Sequence, residues 1–381
     1  MKVFHLSTDS RIGGCEQLLI AIQARHLDEG VEHVFCTLFD RGPLHRAIES
    51  LGGTAYSLGC RSRWQLGVAV PRLLSLLRGE RPDILHTHLY HAGILAWMAS
   101  AFGRIPPRVH TRHYGTVLHQ FGAWWDPLID RFATRAADSV VAISNAVRDV
   151  LVNLEGIPPA RVRVIYNGSA APEILCDSRA RESAADLIAV GSLHPRKGHV
   201  HLIRAMLLVR RTIPGVRLRI LGEGSERPAL ERLIGQLDLA GVVELPGFVE
   251  DIQGALAGSD LMVQPSLEEG FGISILEGMS QERAVVASRV GGIPEVVEDG
   301  VTGLLIPLGD EQALASAIIE LLNDADRRIA MGVAGRRRLE QQFTLDAMVC
   351  GYRELYEGLL NADPGAGVSV TQTQVGAIRV G

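Results

Sequence analysis

Residues 260–277 read Asp260-Leu-Met-Val-Gln-Pro265-Ser-Leu-Glu-Glu269-Gly-Phe-Gly-Ile-Ser-Ile-Leu-Glu277. An apolar run ends at Pro265, a glycine-containing loop follows, and a helical stretch begins near Phe271. Strand, loop and helix in that order aim backbone N–H groups and a positive helix end at the strand's carboxyl edge. That arrangement suits a phosphate. Glu269 precedes the helix and Glu277 lies about two turns inside it. On spacing alone the pair reads equally well as two solvated glutamates.

The same rhythm repeats on both sides. Apolar runs at Lys2–Leu6, His33–Leu38, Ile84–His88, Arg108–Arg112, Val140–Ile143 and Val162–Ile165 predict strands in the first half. Runs at Leu187–Val190, Arg217–Leu221, Val242–Leu245, Leu261–Gln264, Ala284–Ser288 and Gly303–Ile306 do so in the second. Amphipathic stretches between them predict helices. Strands alternating with helices imply parallel strands and right-handed crossovers. The expected fold is α/β: two doubly wound, Rossmann-like domains facing each other across a cleft. Residues 1–170 would form the first domain and 171–343 the second. Residues 169–185 lose the rhythm and read as a linker. A last helix, about 344–360, can pack back on the first domain, and 361–381 read as a disordered tail. Open α/β sheets bind ligands beyond the carboxyl ends of their strands, so the cleft is the expected active site.

Composition agrees. The 381 residues are 47% hydrophobic and 21% charged, enough apolar surface to rule out a disordered chain. The net charge of −5 argues against a nucleic-acid partner. Cys15, Cys36, Cys60, Cys176 and Cys350 are odd in number and form no C-x-x-C pair, so reduced thiols are expected rather than a disulfide scaffold. Neither a signal peptide nor an apolar span of membrane length is read, and a cytoplasmic location is expected.

Three further stretches carry chemistry. Gly191-Ser-Leu-His-Pro-Arg-Lys-Gly198 follows a strand and opens a helix, placing Arg196 and Lys197 where cations would meet a diphosphate. Gly13-Gly14-Cys15-Glu16 after the first strand lets backbone approach a ligand closely. His86, His88, His91, His110 and His113 cluster in sequence. His86 and His88 share a strand face. No carboxylate or cysteine lies near them in sequence to complete a metal site, so local hydrogen bonding is the expected role. His113, just past a strand, is the better catalytic candidate. Asp324-Ala-Asp326 has D-x-D spacing but lies away from any strand end. Arg104, Arg108, Arg112, Arg131 and Arg135, with Phe121, Trp124 and Trp125 among them, read either as a membrane-surface patch or as a helix with buried tryptophans.

Together, "VHTRHYG", "AISNAV", "VIYNGS", "GSLHPRKG" and "PSLEEGFGISILEGM…VVASRVGGIPEVVEDGVTGLL" resemble a glycosyltransferase of family 4 with the GT-B fold, from about residue 3 to residue 358. The resemblance implies retaining transfer of a sugar from a nucleoside-diphosphate sugar, a UDP- or GDP-sugar, with no metal or other cofactor. The acceptor would be a glycan or a lipid-linked acceptor in cell-surface polysaccharide or glycoconjugate synthesis. Peripheral contact with the inner membrane face goes with such an acceptor. By position, Glu269 would face the donor sugar and phosphate as a catalytic residue, and His113 would sit by the transferred sugar. Glu277 would hold the ribose, and Arg196 and Lys197 the diphosphate. The backbone of Phe271, Gly272 and Ile273 would bind phosphate, Gly14 would approach the diphosphate from the other domain, and the backbone near Val249 would meet the base. One departure matters: the family often carries Arg directly after the glycine that is Gly191 here, and this chain has Ser192. That leaves open a non-catalytic donor- or partner-binding relative. A nucleotide-sugar epimerase is a further alternative on the same fold.

Overall fold

The computed structural model describes residues 1–25, 30–62, 65–174 and 185–361. Most of the expected linker and all but the first residue of the expected tail therefore lie outside the described residues. Two parallel sheets form the chain. The first has seven strands: β1 (Lys2–Ser7), β2 (Glu32–Phe39), β3 (Thr54–Cys60), β4 (Ile84–His88), β5 (Arg108–Arg112), β6 (Ser139–Ala142) and β7 (Val162–Val164), in the order β3-β2-β1-β4-β5-β6-β7. The second has six: β8 (Asp186–Val190), β9 (Arg217–Leu221), β10 (Val243–Gly247), β11 (Leu261–Gln264), β12 (Ala284–Ser288) and β13 (Gly303–Ile306), in the order β10-β9-β8-β11-β12-β13.

The apolar runs are strands because both of their faces are covered. In β11, Leu261 and Val263 enter one apolar cluster while Met262 enters another on the opposite face. β12 divides in the same way, Ala284 and Val286 to one side, Val285 and Ala287 to the other. A strand buried on both faces has no polar alternation to display. The second of these clusters does not stop at the domain boundary. It joins Phe271, Ile275 and Met279 to Val140, Ile143, Val147 and Leu151 of the first domain.

Sequence reading passed over β3 and the helices Pro43–Ser50, Val117–Phe121, Asn145–Asp149 and Ala325–Gln342. The run TAYSLGC in β3 is interrupted by polar residues and a glycine. The Ala325–Gln342 stretch is rich in arginine and weak in apolar period. Asp324 of the D-x-D spacing caps this helix, its side chain accepting from the backbone N–H of Arg327 at 3.0 Å. It is a helix start rather than a metal site.

The helix Leu345–Asn361 crosses to the first domain. Leu345, Met348, Tyr352, Leu355 and Tyr356 pack with Val3, Leu18, Leu19 and Ile84. Arg25 Nε donates to Asp346 at 2.7 Å. Tyr356 Oη lies 2.6 Å from His86 Nδ1, which ties the last helix to β4.

Candidate active site

Each sheet reverses its strand order once, between β1 and β4 in the first and between β8 and β11 in the second. Ligands of doubly wound sheets bind beyond the carboxyl ends at such switch points. Most of the candidate residues gather at these two places, and the two places face each other.

On the second domain, the loop after β8 carries Arg196 and Lys197, and the loop after β11 carries Glu268 and Glu269. Lys197 Nζ pairs with Glu269 Oε2, both buried, and Ser266 Oγ donates to the same carboxylate at 3.3 Å. Arg196 Nη1 lies 3.5 Å from Glu268. The backbone joins the loops too, with the N–H of Leu267 donating to the Arg196 carbonyl at 2.7 Å. Burial alone would raise the Glu269 carboxyl, but Lys197 and Arg196 beside it hold it below the ordinary value. The loop therefore keeps the Glu269 carboxylate charged in a desolvated place.

Gly272 caps the helix Ile273–Ser280 at φ +104°, a conformation that only glycine adopts without strain. Phe271 turns inward, 1% exposed, stacked on Tyr166 with ring centroids 5.6 Å apart. Its ring is core, and only its backbone is left for a ligand. Glu277 lies half-buried on this helix, and burial pushes its carboxyl up to about 7. Val249, past the end of β10, is partly buried and packs against the apolar cluster that spans both domains.

The first domain presents a different wall. His113 follows β5, and burial pushes its imidazole down to about 4, so it is neutral at pH 7. Its Nε2 lies 3.2 Å from His88 Nδ1 and 3.5 Å from Cys15 Sγ. His88 Nε2 lies 3.1 Å from His5 Nδ1, and His5 Nε2 lies 3.0 Å from His33 Nδ1. Four imidazoles thus run in a file from β2 to the cleft. His86 stands aside, its ring nitrogens at Tyr356 Oη and Thr111 Oγ1.

The walls touch. A Cβ on Gly270 would lie 2.7 Å from the His113 carbonyl oxygen, so no larger residue fits there. A Cβ on Gly14 would lie 3.2 Å from Ile273 Cδ1. The backbone N–H of Gly115 donates to Glu268 Oε1 at 3.0 Å, and Ser144 Oγ donates to the Gly270 carbonyl at 2.7 Å. Glu295 accepts from the backbone N–H groups of Asn145 and Ala146, both at 2.8 Å, and from Tyr166 Oη at 3.0 Å.

Arg196, Lys197, Glu269, His113, Gly14 and Ile273 are therefore brought to one cleft. Val249 stands apart from these contacts, two strands from the switch point. Sequence reading missed Glu268, Glu295, Cys15 and the imidazole file. The tandem Glu268-Glu269 was a visible signal, whereas nothing local marks the others, because their partners come from the far domain or from distant strands. One expectation is corrected: Arg112 is no surface cation. It is 1% exposed, donates from both terminal nitrogens to Glu155 at 2.9 Å, and lies 2.7 Å from Asp130. It pins the helix Asp126–Arg135 to β5. The tryptophans among the arginines are at the surface, Trp124 79% and Trp125 45% exposed.

A model of glycosyltransferase family 4 matches residues 12–169, and one of glycosyl transferases group 1 matches residues 184–324. Alpha-maltose-1-phosphate synthase of Mycolicibacterium smegmatis is 32% identical over 302 residues, covering 70% of this chain and 76% of that protein. The chain belongs to glycosyltransferase family 4. Another relative in the family, the lipopolysaccharide core biosynthesis glycosyltransferase LpsE of Rhizobium meliloti, is 27% identical, covering 93% of this chain and 98% of its own. Among solved structures, Anabaena HepE in complex with UDP and glucose superposes with a TM-score of 0.83 at 24% identity, over 94% of this chain and 99% of that one. Sucrose-phosphate synthase from Thermosynechococcus elongatus gives 0.82 at 22% identity, over 95% and 100%. The architecture is GT-B, and the protein is a glycosyltransferase.

Proposed function

We propose that this glycosyltransferase moves a sugar, with retention of configuration, from a UDP- or GDP-sugar to a glycan or lipid-linked acceptor in cell-surface polysaccharide or glycoconjugate synthesis, and that transfer needs no metal. One observation carries the reading. Lys197, Arg196 and the N-terminus of the Ile273–Ser280 helix converge at the second domain's switch point, opposite the neutral His113. Breaking the anomeric bond leaves an oxocarbenium-like sugar and a diphosphate. Positive groups already fixed where that charge develops lower the barrier. Arg196 stands in for the cation that Ser192 lacks. Glu277 would take the ribose hydroxyls, the backbone near Val249 the base, Gly14 the diphosphate from the other side, and His113 a sugar hydroxyl. The UDP in the HepE structures is in keeping with a nucleotide donor.

Glu269 has a role that follows from its partners. Its carboxylate is committed to Lys197 and Ser266, so it aims the ammonium rather than standing free as a nucleophile. Same-face attack, with the leaving phosphate taking the acceptor's proton, follows as the route to retention. A glycosyl ester trapped on Glu269 would overturn it.

The acceptor side has its own support. Trp125, Leu128 and Phe132 are exposed at helical spacing, with Trp124 and Phe121 beside them. Phe121 meets His194 edge-on at 5.8 Å, two residues before Arg196, so this apolar patch starts at the rim of the cleft. A lipid-linked acceptor at a membrane surface would present its sugar there. Among the described residues no helix is long and apolar enough to cross a membrane.

The deciding experiment offers UDP-, GDP-, ADP- and dTDP-sugars, with and without EDTA, and follows thermal shift and released nucleoside diphosphate. A donor that stabilises the protein and is turned over in EDTA is expected. If no donor shifts the melt at millimolar levels, Ser192 has cost the site its phosphate grip and the non-catalytic reading takes over.

A further inference from the structure

The imidazole file meets a cysteine at its cleft end. Cys15 opens the helix after β1, His88 ends β4, and His113 follows β5. Three separate elements deliver one sulfur and two ring nitrogens to the first domain's switch point. Cys15 Sγ, His88 Nδ1 and His113 Nε2 all lie within 4.8 Å of one another, with two of the separations 3.5 and 3.2 Å. Tetrahedral zinc, with Zn–S about 2.3 Å and Zn–N about 2.0–2.1 Å, sets its S···N and N···N ligand separations at about 3.5 and about 3.3 Å. Two of the three separations therefore match those spacings already, and the third lies within 4.8 Å.

We propose that Cys15, His88 and His113 form a site for a thiophilic divalent cation of the zinc class, and that filling it shuts off sugar transfer. The ligand set selects the ion: a thiolate with two imidazoles suits zinc and its soft neighbours, whereas magnesium prefers oxygen. The surroundings supply the support that metal sites need. The second nitrogen of His88 is held by His5, and His5 in turn by His33, which fixes ring orientation and tautomer. The buried carboxyl of Glu16, next in the chain to Cys15, is anchored by Ser7 Oγ and the N–H of Gly13, both at 3.2 Å, which holds the start of this helix and the sulfur beside it in place. The other cluster, His5, His86 and His88, lacks sulfur, and His86 is already committed at both nitrogens.

On binding, the Cys15 thiol releases one proton to solvent and its sulfur lone pair binds the cation. The two neutral imidazoles each give a lone pair, and the site ends with one net positive charge. Three protein ligands leave the fourth position to water on the cleft side. Inhibition rests on the placement of His113 beside the donor sugar: a cation on Nε2 fixes Nδ1 as an N–H donor and sets net positive charge beside the sugar as it becomes oxocarbenium-like.

Cobalt(II) replaces zinc as a visible probe. The Cys176→Ser/Cys350→Ser chain, which lacks the exposed thiol of Cys350, is titrated with it. One equivalent should bring a thiolate-to-cobalt charge-transfer band that added zinc abolishes. Adding Cys15→Ser should remove the band. His5→Phe should keep it but weaken cobalt affinity about 10–100-fold. No band, or a band that survives Cys15→Ser, overturns the site, and the first of these results needs no further variant to fold. In parallel, zinc but not magnesium should suppress nucleoside-diphosphate release competitively with the donor, and EDTA should restore it. Zinc bound without inhibition overturns the second half of the proposal. If no donor is turned over at all, the transferase reading fails while the cobalt spectrum still decides the cation site.

Discussion

The two domains share an architecture yet face the cleft with opposite chemistry. The second presents paired charges, Lys197 with Glu269 and Arg196 with Glu268. The first presents neutral groups, His113, His88 and Cys15, whose imidazoles burial drives down and whose thiol burial drives up. The difference teaches where the work lies. A diphosphate leaving group needs fixed positive charge at one place, and a sugar needs hydrogen-bonding groups that do not compete for that charge. The first domain also keeps its strong charge, Arg112, behind the wall rather than on it.

That last contrast yields the largest expected effect. Arg112→Met leaves Asp130 and Glu155 buried without a counter-charge, and breaking such a pair costs about 3–5 kcal/mol. Urea melts should show the loss. Hydrogen exchange should place it in β5 and the Asp126–Arg135 helix, with β8 to β13 still protected. A loss spread evenly over both sheets would mean that the domains unfold as one unit through their shared apolar cluster.

Next comes the charged wall itself. Lys197→Met should lower turnover about 10²–10³-fold, as removal of one fixed positive group from a site of developing negative charge does. It also strips Glu269 of its main partner, so the carboxyl climbs as burial dictates. If kcat survives and only KM rises, Lys197 binds donor without favouring the transition state, and the wall is a binding surface only.

The charged wall was largely legible in the sequence and the neutral wall was not, for a physical reason. Arg196, Lys197 and Glu269 lie in loops directly bounded by an apolar strand and a helix, so local pattern fixes their place at a strand's carboxyl end. Cys15, His88 and His113 also lie at strand ends, but their meaning comes from one another, across 73 and 25 residues of chain. Only the β1-β4-β5 neighbourhood joins them. Arg112 failed differently. A basic residue among basic residues looks exposed until the tertiary fold brings Glu155 to it. The strands buried on both faces were easy to read, whereas β3, with its polar interruptions, was not.

Glu277 tests whether the charged wall is charged throughout. Burial raises its carboxyl from an ordinary 4.5 to about 7. A raised carboxyl means that the fold prefers the protonated form. The associated stability is full below about pH 4.5 and disappears as pH climbs through 7, amounting to no more than about 3 kcal/mol. Glu277→Gln should therefore match the wild type in urea melts at pH 4.5 and exceed it at pH 8. The same variant should weaken donor binding at pH 8, where the carboxylate is the better acceptor for ribose hydroxyls. Equal stability of the two proteins at both pH values would remove the burial argument.

The smallest effect belongs to the neutral wall. At about 4, His113 carries no charge at working pH, and its contribution is one hydrogen bond between neutral groups. Such a bond is worth about 0.5–1.5 kcal/mol, so His113→Ala should slow transfer only about two- to tenfold. The pH dependence of kcat should show no step near 6.5 that the variant removes, because a neutral imidazole has no proton to lose there. His113→Asn, which keeps a donor and an acceptor, should recover part of the loss. A drop as deep as that of Lys197→Met, together with a step near 6.5 that vanishes in the variant, would make His113 an ionising group in the reaction. The division between a charged and a neutral wall would then fall, because the imidazolium would be taking part in stabilising the departing diphosphate.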